Sequence, residues 1–299
     1  MVLTSPQGKD MIDKMKYRDI RQSVNYANYL KSQGWIVERI ENINYFIKKI
    51  PLIGSVLKVQ RPRNLDFKRI TELASEYRVF QIVIEPNLVI TSGITRVHDL
   101  MIHHGFKLSK SPYLPSKTLQ IDLSQSTDQI TAKFDKETRR AIRRGEDLDI
   151  KEYSSPDELD IFYNAWKKSV KVGRYVPSLT NLINLRKSFP NNYSTFLASH
   201  NIYNKIIGGG VFTRSSTDFS YYWYGFTNYE GRTSLSQYSL LYQGILWAKS
   251  MGCKVFDFEG IYDERFPIKS WLGFTRFKKS FGGYEVLYPG CYTKFRLPL

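Results

Sequence analysis

The chain has 299 residues, 42% of them hydrophobic, enough for a substantial core or for two domains of ordinary size. Its 44 Lys and Arg against 28 Asp and Glu give a formal charge of +16, a field that attracts nucleic acid, anionic lipid head groups or phosphorylated ligands. Two cysteines, Cys253 and Cys291, exclude a disulfide framework, and the polar first 20 residues argue against a secretory signal. No stretch reaches the roughly 18 apolar residues of a membrane-spanning helix. The best candidate, from Tyr45 to Val59, is broken by Lys48, Lys49, Pro51 and Lys58. A soluble, cytoplasmic protein is expected, with contact to the inner membrane surface left open.

Along the chain, the first half predicts a helix over 19–32, strands over 35–40 and 55–60, and a helix over 66–76. A strand over 78–84 and a short helix over 95–104, ended by Gly105, follow. The second half opens with one helix over 126–144, stopped by Gly145, and a strand over 148–153. Ser155-Pro156-Asp157-Glu158 combines an N-cap, a proline at the first helical position and an acid at the third, and Leu159, Phe162, Tyr163 and Trp166 give that helix its apolar stripe. An aromatic run from Ser220 to Phe226 predicts a buried strand. Ser234 and Gln237 predict a capping box for the next helix, whose apolar face holds Leu240, Leu241, Ile245, Leu246 and Ala248 before Gly252 ends it. In the strand over 254–258, alternation puts Phe256 and Phe258 on one face, with Asp257 and then Glu259 on the other. The alternating elements fit a tandem pair of mixed α/β domains, 1–115 and 116–299, with Pro112 and Pro115 in the linker.

Three linked motifs are more specific than any of these patterns: Trp247-Ala248-Lys249-Ser250-Met251-Gly252, Asp257-Phe258-Glu259-Gly260-Ile261 and Phe277-Lys278-Lys279-Ser280-Phe281-Gly282-Gly283. Upstream stand Gln22-Ser23 with Gly34-Trp35, Arg61-Pro62-Arg63, Ile84-Glu85-Pro86, and Thr118 to Leu123 followed by Lys136 to Arg143. Together they resemble the FemABX family, aminoacyl-tRNA-dependent ligases that build peptidoglycan cross-bridges. The resemblance runs from about Arg21 to Tyr292. It departs at Arg63, where the family has Gly, and over 171–178. It implies two GNAT-like (acetyltransferase-like) domains, in the short form without a helical arm, and elements of the N-terminal part that exchange between them.

The implied reaction is acyl transfer from aminoacyl-tRNA to a stem-peptide amine of a peptidoglycan precursor, lipid-linked or UDP-linked. The ester donor is already activated, so neither a metal, a cofactor nor a protein nucleophile is required. The resemblance places Phe277 and Lys278 at the transfer centre. Arg276 and Lys279 are expected to lower the Lys278 pKa by like-charge repulsion. Asp257 and Glu259 are candidates to orient an ammonium or accept a proton, Asp257 being equally fit to cap the following turn; Glu85 is a second base candidate. Lys31, Lys171, Arg174 and Tyr175 are candidates for holding the diphosphate of the precursor. Lys133, Lys136, Arg139, Arg140, Arg143 and Arg144 along one helix form a surface for tRNA backbone or anionic lipid.

Other features carry less. Gly208-Gly209-Gly210 lacks the Gly-Lys-Ser/Thr of a phosphate loop and predicts a turn. His98, His103 and His104 lack metal-ligand spacing, and His200 is expected in a polar turn. Two rival functions fit the same composition. One is an acyl-CoA-dependent N-acyltransferase, for which Gly231-Arg232-Thr233-Ser234 is the nearest but ill-spaced pyrophosphate loop. The other is a nucleic-acid-binding module without chemistry. No protein partner is implied.

Overall fold

A computed structural model describes residues 19–90, 95–171, 174–215 and 219–297. Ser23 caps helix α1 (Val24–Ser32) by accepting from the Tyr26 N–H, and strands β1 (Ile36–Ile40), β2 (Ile43–Ile50) and β3 (Gly54–Gln60) then form an antiparallel meander. The interrupted apolar stretch around Pro51 is thus a hairpin. Strand β2 was not expected, because its lysines obscure an alternation in which Tyr45 and Ile47 still face the core. Asp66 caps α2 (Phe67–Glu76), whose Ile70, Leu73 and Ala74 lie at helical spacing and are buried. Strand β4 (Val79–Glu85) runs parallel to β3, followed by α3 (Thr95–His103) and the short β5 (Lys107–Leu108).

The second sheet opens with β6 (Lys117–Asp122). The helix expected over 126–144 is two, α4 (Thr127–Ala132) and α5 (Lys136–Arg144), because the chain leaves helical geometry at Asp135, whose φ is −58° and ψ 152°. Strand β7 (Asp149–Glu152) leads to α6 (Pro156–Ser169), where Ser155 is the expected N-cap and forms a capping box with Glu158, and to α7 (Leu179–Ser188). Strands β8 (Ser194–His200), β9 (Ile206–Arg214) and β10 (Phe219–Thr227) are antiparallel neighbours. The glycine triplet is inside β9 and forms no turn. A Cβ on Gly209 would come within 2.3 Å of the Phe226 ring, so the missing side chain is what lets that ring close on the strand.

Helices α8 (Tyr229–Thr233) and α9 (Ser236–Ser250) follow. The Ser234/Gln237 capping box does not form. Leu235, at φ +60°, separates the two helices, and Gln237 instead donates to the Tyr222 hydroxyl at 2.8 Å. Strand β11 (Val255–Gly260), helix α10 (Leu272–Lys279) and strands β12 (Tyr284–Leu287) and β13 (Tyr292–Phe295) complete the chain. The basic Arg276-Phe277-Lys278-Lys279 step is therefore helical.

The sheet orders are β1-β2-β3-β4-β13-β5 and β12-β6-β11-β10-β9-β8-β7. Both are mixed. The last strand returns to the first sheet, lying between β4 and β5. Helix α1 and the turn before it make the reciprocal crossing: Ile20, Tyr26, Ala27 and Tyr29 pack in one cluster with Phe162, Trp166 and Tyr221 of the second half. Two chain crossings and one shared apolar cluster tie the halves, and the cleft between them is the place where polar side chains gather.

Candidate active site

Strands β10 and β11 are paired only as far as Tyr221 opposite Asp257, after which no further pairing joins them. A register shift between Asp257 and Gly260 on the β6 side, with Glu259 at φ +62°, turns the end of β11. A left-handed backbone at a residue with a Cβ costs on the order of 1–3 kcal/mol and concentrates at functional sites. The consequence is geometric: Asp257 and Glu259 come together at the point where the strands part.

Asp257 is 4% exposed. It accepts from the Thr118 hydroxyl at 2.5 Å, the Gln120 side-chain amide at 2.8 Å and the Glu259 backbone N–H at 2.7 Å. Burial, and then the Glu259 charge, push its pKa up to about 6 despite those three donors. Glu259 is held by Arg21, whose Nη2 lies 2.7 and 2.9 Å from its two oxygens. Arg21 also contacts Asp19 at 3.4 Å and lies over the rings of Tyr221 and Trp223 at 5.6 and 5.4 Å. Burial works against the Arg21 charge, but Glu259 and Asp19 more than offset it.

Lys278 approaches from the other side. Its Nζ donates to the Gly260 carbonyl at 2.7 Å and sits 4.9 Å from the Phe274 ring and 5.9 Å from that of Tyr222. Burial lowers its pKa to about 8, with Glu259 and Asp257 opposing the shift. The like-charge cause expected from Arg276 and Lys279 is not the operative one, and Lys279 pairs with Glu285 at 2.5 Å. The neighbouring Phe277 faces away, edge-on to Tyr238 at 4.9 Å and Phe281 at 5.5 Å in the core of the second sheet.

A small cleft is lined by Asp19, Arg21, Arg61, Thr118, Asp257 and Glu259, with Leu114, Pro115 and Tyr288. Glu85 lies just behind it. Its carboxylate accepts from the Leu114 N–H at 2.6 Å and from Gln60 at 2.9 Å, and is 1% exposed. Arg61, at φ +52°, donates to the carbonyls of Pro86 and of Pro115 in the linker, and reaches the second half by stacking 3.5 Å from the Tyr288 ring centre.

The other candidates fall in two places. Lys31 is in the last turn of α1 and exposed, as are Lys171, Arg174 and Tyr175 in the loop between α6 and α7. Tyr29 of α1 and Tyr175 are electrostatic neighbours, so the helix of Lys31 and that loop adjoin. The basic helix divides: Lys133 donates to Gln125 at 2.5 Å, and Arg139 turns inward to the carbonyls of Ala132 and Phe134, closing the break before α5. Lys136, Arg140, Arg143 and Arg144 are exposed, the first three four and three residues apart on one face. His200 is the buried end of β8, bonded to Tyr153 and the Asp149 carbonyl. His98 bonds Tyr292, and His104 stacks on Phe67. Among the described residues no three metal-binding side chains converge. No helix among them is long and apolar enough to cross a membrane.

The sequence motifs include Arg61, Thr118 and Gln120 without marking them as site residues, and Asp19 and Arg21 stand in no motif. The alternation of Thr118 and Gln120 with Leu119 and Ile121 is the signal that points the polar pair at Asp257. Nothing local distinguishes Arg21.

No described protein family and no curated protein matches the chain by sequence. Solved structures do. A crystal structure of FemX superposes with a TM-score of 0.79 at 15% identity, over 99% of this chain and 97% of that one. The chain has the FemX fold. The same FemX-like architecture aligns with L-PGS from Bacillus licheniformis at a TM-score of 0.61 and 9% identity, covering 98% and 92% of the two chains. It also aligns with a tandem GNAT protein from the clavulanic acid biosynthesis pathway at 0.52 and 11%, covering 85% and 82%. Both the resemblance to the FemABX architecture and the tandem GNAT-like fold expected from sequence are thus met.

Proposed function

We propose that the protein is an aminoacyltransferase that moves an amino acid from aminoacyl-tRNA to an amine of a peptidoglycan stem peptide, carried on a lipid-linked or UDP-linked precursor. The observation that carries this reading is the Lys278 amine, half-buried and anchored on Gly260 beside the Asp257/Glu259 pair. In this reaction the acceptor nitrogen attacks the ester carbonyl and a tetrahedral oxyanion forms. An ammonium at Lys278 stabilises that charge, an effect worth about 10²–10³ in rate for one well-placed donor. Asp257, with a pKa of about 6, takes the proton that the attacking amine sheds. Lys278, at about 8, supplies one to the departing ribose oxygen and recovers it from Asp257 directly or through water. The nitrogen–carbon bond forms, the carbon–oxygen bond breaks, and the proton balance closes.

The FemX fold over nearly the whole chain and the charge of +16 support the same reading. The exposed face of Lys136, Arg140 and Arg143 is the surface proposed for tRNA backbone. Lys31 and the loop of Lys171 and Arg174 are proposed for the precursor diphosphate. Against an acyl-CoA donor stands the segment 231–234: it is mostly α8, packed so closely that a Cβ on Gly231 would lie 2.3 Å from the Ile207 carbonyl. The discriminating experiment offers the purified protein labelled aminoacyl-tRNA and labelled acyl-CoA with each precursor. Label must pass from the tRNA and disappear when RNase is added first; acylation from acyl-CoA alone contradicts the reading.

A further inference from the structure

The turn between β2 and β3 breaks a local rule. The Ile53 N–H closes on the Ile50 carbonyl at 3.2 Å, Pro51 is the second residue and Leu52, at φ +67°, the third. That is a type II turn, which selects Gly or Asn at its third position because a Cβ is strained there. This chain instead holds a leucine whose side chain is fully exposed, next to Ile53 at 55% exposure. Neither strain nor exposure benefits the isolated fold.

The same end of the first sheet carries more apolar surface. Ser55 pairs with Val79, and Phe295 with Gln81, so the tip and the end of β13 lie at the same end of the sheet, on strands two spacings, or about 10 Å, apart across it. Phe295 is 69% exposed and Leu297 78%. Around them stand exposed Lys49 and Arg78 and partly exposed Arg296, with Glu76 the nearby acid. Lys48 ties the end of α1 to β2 through the carbonyls of Gln33 and Gly34.

We propose that this edge is a docking surface for an anionic lipid bilayer, with Leu52 and Ile53 inserted among the head groups and the surrounding cations on the phosphates. Its exposed aliphatic side chains and cationic rim match a bilayer, in which apolar side chains and basic groups add to the binding. A second copy of a chain with a charge of +16 would be repelled. The surface lies at the opposite end of β4 from Glu85, and the proposal does not depend on the acyl-transfer reading.

The test is sedimentation of the full chain with phosphatidylcholine vesicles, with and without phosphatidylglycerol. The wild type is expected to bind only the anionic vesicles and to be released by salt. Leu52→Gly supplies the residue the turn prefers, so it leaves the melting temperature unchanged or higher while lowering partitioning at least about tenfold. Lys49→Glu with Arg78→Glu lowers it as well. Equal partitioning of Leu52→Gly and wild type, or no binding of wild type to anionic vesicles, overturns the proposal. So does a wild-type dimer that Leu52→Gly dissolves, since the occupant would then be a second copy.

Discussion

The Nζ of Lys278 lies 2.7 Å from the carbonyl oxygen of Gly260, three residues beyond Asp257 on β11. One hydrogen bond thus fixes a cation from α10 against the strand that presents the carboxylate. If the amine stabilises the transition-state oxyanion, Lys278→Met should lower the transfer rate about 10²–10³-fold while keeping the packing against Phe274 and Tyr222. Leaving the Gly260 carbonyl unsatisfied costs about 1–3 kcal/mol. Single-turnover transfer alongside thermal melts separates the two effects. A folded Lys278→Met protein with wild-type turnover removes the assignment.

The acidity of the two groups predicts a bell-shaped pH profile. Activity should rise through about 6 as Asp257 loses its proton and fall through about 8 as Lys278 does. Asp257→Asn should abolish most of the activity, and Lys278→Met should erase the alkaline limb of what remains. The same groups act on stability with opposite signs. Asp257 is raised from 3.8, so its contribution falls as pH rises from about 4 to 6; Lys278 is lowered from 10.5, so its contribution improves between about 8 and 10.5. Urea melts across pH, with and without Asp257→Asn, check the first slope.

Arg21 joins the N-terminal turn to Glu259, and the pair is largely buried. Arg21→Ala strands both Asp19 and Glu259 and should destabilise by about 3–5 kcal/mol. It should also raise the acidic limb, because the Glu259 charge then acts on Asp257 uncompensated. Glu259→Gln should lower that limb. Opposite shifts identify an electrostatic role; a common shift, or none, would mean that Arg21 holds the fold and nothing more.

The sequence made the fold readable wherever one periodicity ruled. Ser155 to Trp166 announced its helix, and Lys254 to Phe258 its strand. Long-range pairing was not readable: the return of Tyr292–Phe295 to the first sheet depends on contacts some two hundred residues away, with β4. In the site, Asp257, Glu259 and Lys278 were found through motifs. Arg21 was not, because its partner is 238 residues distant. The expected continuous basic helix failed at Asp135, where charge counting carries no information on backbone geometry.

Close packing on β9 offers a stability check away from the chemistry. Gly209→Ala drives a methyl into the rings of Phe226 and Phe162, at 2.3 and 2.8 Å. A cost of about 1–3 kcal/mol is expected. Chemical denaturation measures it, and a neutral substitution would mean that the rings yield freely.

The most direct measurement is transfer itself. Purified protein is incubated with radiolabelled aminoacyl-tRNAs from a mixed pool and with lipid-linked or UDP-linked pentapeptide precursor. Label in the precursor, abolished by RNase beforehand and by Lys278→Met, is the predicted result. Precursor that stays unlabelled with either acceptor, while acyl-CoA label is transferred, would contradict it.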